Sequence, residues 1–211
     1  MKKTLLVNEL FVSIQGESTR AGTPCFFVRL TGCNLRCRYC DTVFARNEGR
    51  EIAITDIVSE YILSGVKLCE ITGGEPLLQK NTPELCVKLL KRGAVVMVET
   101  NGSIDISVLP FGVIRVIDVK CPSSGEKSSF FMGNIRFLRK QDEIKFVVSD
   151  REDFDWAITF MQKHNLDKKV NAILFSPVYG VLRPKSLAEW LIKSAVNARM
   201  QLQMHKLIGV K

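Results

Sequence analysis

The chain has 211 residues, 30 Lys and Arg against 22 Asp and Glu, a formal net charge of +8, and 46% apolar and 25% charged residues. That length allows one large domain or two small ones, and the balance is that of a globular chain with a sizeable core, not a disordered one. No apolar run approaches the roughly 20 residues of a membrane span. The apolar stretch Leu5-Leu6-Val7 ahead of Asn8 and Glu9 is too short for a secretory signal. We therefore expect a cytoplasmic protein without membrane contact. The basic residues are dispersed, which describes a solvated surface and not a nucleic-acid groove. Seven cysteines, an odd number, do not make a disulfide framework in a reducing compartment. Cys25, Cys69, Cys86 and Cys121 lie among apolar neighbours and read as small core hydrophobes.

Residues 5–13 predict an edge strand that leads into the polar turn Ile14-Gln15-Gly16-Glu17-Ser18. Pro24 to Thr31 is a buried strand, β-branched and aromatic, stopped by Gly32. Thr55 to Gly65 has Ile57, Val58, Tyr61 and Ile62 at helical spacing. Val66 to Thr72 is a strand that runs into Gly73-Gly74-Glu75-Pro76. Thr82-Pro83 opens a helix with Leu85, Cys86, Leu89 and Leu90 inward, and Gly93 ends it. Strands follow at 94–100 and 113–120, opening onto Asn101-Gly102 and Pro122-Ser123-Ser124-Gly125. Residues 128–140 predict a helix weakened by Gly133. A strand at 143–149, a helix through Phe154, Ala157, Ile158 and Met161, and a strand at 170–175 come next. The last strand ends at Ser176-Pro177. Ser186-Leu187-Ala188-Glu189 has the form of a capping box opening a further helix. The tail, 202–208, alternates as a short strand.

Strand and helix alternate about six times, which implies parallel crossovers. Six units are fewer than the eight of a closed barrel. The expectation is one α/β domain over 1–211, a partial (open) parallel β/α barrel. Strand 5–13 is its N-terminal extension and 202–208 a short C-terminal strand. The polar and Gly-rich stretches fall at strand C-terminal ends, where such folds bind ligands.

The chemistry centres on Gly32-Cys33-Asn34-Leu35-Arg36-Cys37-Arg38-Tyr39-Cys40-Asp41-Thr42. Three thiolates on one turning loop can converge on a metal cluster. A mononuclear zinc site usually takes four protein ligands, whereas a four-iron cluster can take three thiolates and leave one iron free. Structural thiols or a zinc or redox site remain alternatives on spacing alone. Gly73-Gly74 exposes backbone to a ligand, and Glu75 beside it can hold an ammonium group.

Together these motifs resemble the radical S-adenosylmethionine (SAM) superfamily. In that superfamily three cysteines hold a 4Fe–4S cluster and SAM chelates the free iron. Within it the chain is similar to the 7-carboxy-7-deazaguanine synthase branch of queuosine and 7-deazapurine biosynthesis. The matching pieces include Ser13 to Glu17, Phe27-Val28-Arg29, the cysteine loop, Thr72 to Gln79, Glu99 to Ser103, Asp118-Val119-Lys120, Pro122 to Gly125, Ile144 to Val147 and His205-Lys206. The resemblance implies a trimmed radical SAM core of about six βα units. It implies conversion of 6-carboxy-5,6,7,8-tetrahydropterin to 7-carboxy-7-deazaguanine with loss of ammonia, a lyase reaction with no protein residue as catalytic group. Cofactors would be the 4Fe–4S cluster, SAM and Mg2+. Partners would be the small pterin substrate, a reductant such as a flavodoxin and a second copy in a homodimer, with no nucleic acid.

Carried over by residue, the resemblance assigns Cys33, Cys37 and Cys40 to the cluster and Thr42 to Mg2+, an oxygen-seeking ion. Ile14, Gln15, Gly16 and Thr72 would contact substrate, and Arg29 would pair with its carboxylate through a planar fork. Tyr39, Asp41, Gly74, Glu75 and Ser123 would contact SAM, with Ser176, Pro177, Val178 and Tyr179. Many relatives have Gln-Pro at Ser176-Pro177, and many end in Trp and Pro after the His-Lys pair, where this chain has Ile208-Gly209-Val210-Lys211. Lys145 and His205 read equally as site or structural residues. Two other readings compete: an activase that makes a glycyl radical on a partner protein, and a cluster-bearing RNA-binding module.

Overall fold

The computed structural model describes residues 3–211; Met1 and Lys2 fall outside them. β1 (Thr4–Ile14) pairs antiparallel with β2 (Pro24–Leu30) and, through Thr4–Val7, with β3 (Arg50–Ala53). From β2 onward every pairing is parallel, through β4 (Leu68–Gly73), β5 (Val95–Thr100), β6 (Ile114–Asp118), β7 (Glu143–Val148), β8 (Ala172–Pro177) and β9 (Arg199–Met200). The nine strands lie in the order β3-β1-β2-β4-β5-β6-β7-β8-β9, a sheet open at both ends. The expected partial barrel is thus an open sheet with a parallel run of seven strands and six crossovers.

Four helices carry crossovers: α1 (Ile54–Ser64), α2 (Thr82–Lys91), α3 (Arg151–Lys163) and α4 (Pro184–Ser194). The β5–β6 and β6–β7 connections hold only 3-10 turns. The helix expected over 128–140 is absent, and the one ordered piece is a 3-10 turn at Met132–Phe137. Asn134, fully buried there, receives the Ile106 N–H and donates to the Gly102 and Ile104 carbonyls. Those bonds draw the backbone into the core and leave no free turn for a helix. Arg115, also fully buried, joins the same two connections. It forms a bidentate pair with Asp142 and donates to the carbonyls of Phe137 (2.6 Å) and Ile106 (3.3 Å).

Three other expectations change. β1 is not an edge strand, because β3 lies outside it. Arg50-Glu51-Ile52-Ala53 holds too few apolar residues to announce itself. Ser186 is not a cap: α4 starts at Pro184, whose fixed φ suits the first helical position, and its cap residue is Arg183. The tail is not a strand at 202–208. The strand is β9, two residues earlier in the chain, and Met204–Ile208 forms a short helix, α5. Met204 N–H donates to the Gly16 carbonyl (2.9 Å), so the tail docks on the turn after β1 instead of extending along an edge.

The period-two alternation of the strands explains what positions the site. Val28 and Leu30, Ile71, Val96 and Val98, Ile117, and Ile144, Phe146 and Val148 face the main helix-packed core. The alternate residues start apolar, as Cys25, Phe27, Leu68, Met97 and Val116. Toward the C-terminal ends of the strands they become Arg29, Glu70 and Thr72, Glu99, Asp118 and Lys145.

Candidate functional site

Those polar residues line a cavity of about 370 Å³. The cysteine loop closes one side of it. Arg38 N–H donates to the Ser124 carbonyl (3.0 Å), Arg36 N–H to Glu126 (2.7 Å), and the Arg36 guanidinium to the Cys33 carbonyl (2.8 Å). Cys33, Cys37 and Cys40 are free, half-buried and open on the cavity, while Cys25, Cys69, Cys86 and Cys121 are buried in the core. Among the described residues no three His, Cys, Asp or Glu side chains are grouped as ligands of one metal ion. That is compatible with an iron–sulfur cluster, in which each thiolate binds a different iron. Burial raises the Cys37 thiol's proton affinity, and the Lys120 ammonium opposes that.

The end of β4 passes hard against this loop. A Cβ on Gly74 would stand 2.0 Å from the Gly32 carbonyl oxygen and 2.9 Å from Cys33 Cβ, so only glycine fits. Gly74→Ala is expected to push the cysteine loop off the strand end. The measurement is iron bound per chain after anaerobic reconstitution, which should fall several-fold while the helical circular dichroism stays.

Glu75 does not reach the cavity. Its fully buried carboxylate accepts from Leu77 N–H (2.9 Å), Thr100 Oγ1 (2.8 Å) and Asn101 N–H (2.7 Å). It ties the end of β4 to that of β5 and has no oxygen turned toward an ammonium ligand. Burial raises its proton affinity, and those three bonds oppose the rise. Ser123, Ser176 and Pro177 also stand outside the cavity lining. Ser123 donates through N–H (2.9 Å) and hydroxyl to Asp153, and Ser176 is buried at the end of β8.

The other expected residues converge. Ile14, Gln15, Gly16, Arg29, Tyr39, Asp41, Thr42, Thr72, Gly74, Val178 and Tyr179 all line the cavity. Gln15 donates to Glu70, and Thr72 Oγ1 to Glu99 (3.1 Å). Tyr39 hydroxyl donates to the Val147 carbonyl (3.1 Å). Thr42 Oγ1 donates to Asp41 (3.0 Å). Burial would raise Asp41, but its bond and ion pair with Lys206 bring it down to about 2. Arg29 is held by Glu9 (2.8 Å), with Phe11 and Phe44 rings 5.6 and 5.7 Å from its guanidinium. Lys211 also pairs with Glu9.

Sequence reasoning left several lining residues without a role: Glu17, Glu70, Glu99, Asp118, Lys120 and Lys206. The signal was available, since β4 to β7 carry charge on one alternating face, mid-strand in β4 and β7 and at the C-terminal end in β5 and β6. Glu70 is pushed up to about 8 by burial and then by the nearby Glu99 charge, against the Gln15 bond. Asp118 Oδ2 accepts from Lys120 Nζ (2.9 Å), while its Oδ1 is buried without a partner. A buried oxygen of this kind is an unmet acceptor. His205 presses on Gly16, where a Cβ would fall 2.0 Å from its Nδ1. Burial and the neighbouring Lys206 hold the imidazole toward its neutral form. The tail is also fixed by Gln203 to Glu17 (2.8 Å), Ser18 N–H to Gln201 (2.7 Å) and Ser13 hydroxyl to the Lys211 carbonyl (2.8 Å).

A sequence model of the Radical SAM superfamily matches residues 27–111. A 7-carboxy-7-deazaguanine synthase from Koribacter versatilis is 40% identical over 216 residues, which cover 96% of each chain. One from Chlorobaculum tepidum is 41% identical over 207 residues, 97% of this chain and 94% of the relative. The crystal structure of QueE from Escherichia coli matches the fold with a TM-score of 0.78 at 22% identity, over 96% of this chain and 95% of that one.

Proposed function

The chain belongs to the 7-carboxy-7-deazaguanine synthase family of the radical SAM superfamily, and we propose that this cavity is where it turns 6-carboxy-5,6,7,8-tetrahydropterin into 7-carboxy-7-deazaguanine with loss of ammonia. It is an enzyme of 7-deazapurine biosynthesis that uses a 4Fe–4S cluster and SAM. When bound, the cluster and SAM supply the radical that abstracts a substrate hydrogen; the chain binds, orients and excludes water. The observation that carries the reading is that three free thiols, the Ile14–Glu17 turn, Arg29 and Thr72 open on one cavity.

In this reading Cys33, Cys37 and Cys40 hold the cluster. Arg29, held by Glu9 at the cavity wall, suits the substrate's carboxylate. Ile14, Gln15, Gly16 and Thr72 form the substrate wall. The methionyl end of SAM carries an ammonium and a carboxylate. The unpartnered Asp118 Oδ1 and the Lys120 ammonium suit it in the role expected of Glu75. Tyr39, Asp41, Gly74, Val178 and Tyr179 complete that side, while Ser123, Ser176 and Pro177 back the wall. Thr42, hydrogen-bonded to Asp41, offers Mg2+ its hydroxyl oxygen. We further propose one domain over 1–211, a cytoplasmic homodimer and a flavodoxin-type reductant. No helix among the described residues is long and apolar enough to cross a membrane.

The test is anaerobic reconstitution followed by SAM, dithionite and the carboxytetrahydropterin, with product read by chromatography. SAM cleavage without 7-carboxy-7-deazaguanine would instead favour the activase reading. Thr42→Ala is expected to raise the Mg2+ concentration for half-maximal rate on the order of tenfold, the scale of one lost charged-ligand bond. An unchanged Mg2+ titration would reject its role.

A further inference from the structure

Lys145 is the least exposed charged side chain at the cavity wall, 5% exposed in the interior of a strand. Its ammonium reaches Glu17 (2.8 Å), Glu99 and Asp118 (3.5 Å), and these carboxylates are 18%, 27% and 11% exposed. Seen from the cavity, the acids stand in front and the cation behind. Arg115 and Asp142, away from the cavity, are both 0% exposed. That pair is structural, and Lys145 differs from it in backing groups that face a ligand space.

The oxygens of Glu17 and Glu99 all have partners. Glu99 gives Oε1 to Lys145 and Oε2 to the Thr72 hydroxyl. Glu17 gives Oε2 to Lys145 and to Gln201 (3.1 Å), and Oε1 to Gln203. Burial alone would strip the Lys145 proton, but Glu17, Glu99 and Asp118 outweigh it and keep the ammonium charged. Lys145 in turn offsets the burial that would protonate Glu17. Around this group stand Glu70 from β4, Lys120 after β6 and His205 from α5, with Asp41 on the cysteine loop. A buried ion cluster is weak evidence for stability as such. Its carboxylates keep unused acceptor capacity toward the cavity.

We propose that Lys145 is a positioning residue for substrate binding: its ammonium aims and charge-balances Glu17 and Glu99 as acceptors for a flat ligand that presents N–H donors. The role rests on the proposed function, since the 2-amino-4-oxo ring of a pterin presents such an N–H edge. It predicts a larger effect on substrate binding than on cluster or SAM binding.

The experiment compares reconstituted wild type with Lys145→Met and Lys145→Arg at saturating SAM, over a range of pH. Lys145→Met is expected to raise KM for 6-carboxytetrahydropterin about tenfold or more, the scale of a lost charged hydrogen bond, with kcat within about threefold. Without the cation Glu17 holds its proton to higher pH, so the acid limb of kcat/KM moves upward. Lys145→Arg should return both toward wild type. If the methionine variant does not fold, Lys145→Gln, which keeps length and one hydrogen bond, takes its place with the same expectation. A folded neutral variant with unchanged KM and acid limb overturns the proposal. An equal fall in kcat with KM unmoved overturns it as well. Failure of wild type to turn over the carboxytetrahydropterin would overturn the functional reading and this role with it.

Discussion

Cys37→Ala is expected to abolish stable cluster binding. Iron and sulfide per chain should fall to near zero after reconstitution, and SAM cleavage should fall on the order of 10³-fold or more, as when an essential group is removed. The fold should survive, because Cys37 lies on a loop and is half-buried. Cys69→Ala is the control: Cys69 is fully buried in the sheet core, where burial holds its thiol protonated. That variant should keep its iron and lose only packing energy. Chemical iron assay and the visible spectrum of the cluster decide it. A full iron complement in the Cys37 variant would mean that the ligands are misassigned.

Arg115→Met is expected to give the largest loss of stability. The substitution leaves the Asp142 carboxylate buried without its cation and the carbonyls of Ile106 and Phe137 without their donor. Removing one partner of a buried pair costs about 3–5 kcal/mol. The loss falls on the β5–β6 and β6–β7 connections, which have no helix to cover them. Asp142→Asn in the same chain should recover part of it, because the amide oxygen still accepts from Arg139 N–H and removes the uncompensated charge. Urea unfolding followed by circular dichroism measures both. Equal midpoints for wild type and Arg115→Met would show that the pair contributes nothing.

The parts of this site that are local in the chain were legible before the structure. The cysteine spacing, Gly73-Gly74 and the strand ends near them depend on neighbours a few residues away. Glu75 was legible as a residue and not as a direction, because its turn inward depends on Thr100 and Asn101, contributed by the next strand. Lys145 could not be assigned from sequence, since its three carboxylates come from the turn after β1 and from β5 and β6. Their meeting requires the parallel register that sets Arg29 beside Thr72 and Asp118 beside Lys145. The missed elements have the same cause. Residues 128–140 lose their helix to a buried Asn134 that bonds a distant segment. The tail loses its strand because a seven-residue segment has too little pattern to outweigh docking on Gly16.

That docking also has a consequence for how the molecule is made. The bonds from Gln201, Gln203 and Lys211 reach back to Ser18, Glu17 and Ser13 across sequence separations of 183, 186 and 198 residues. Contacts of such range close late, because the chain between them must first be ordered. During vectorial synthesis the β1 turn, the cysteine loop and β4 leave the ribosome long before the tail does. Until the tail arrives, that flank of the nascent site stays unlatched, and the three thiols are reachable by whatever delivers iron and sulfide.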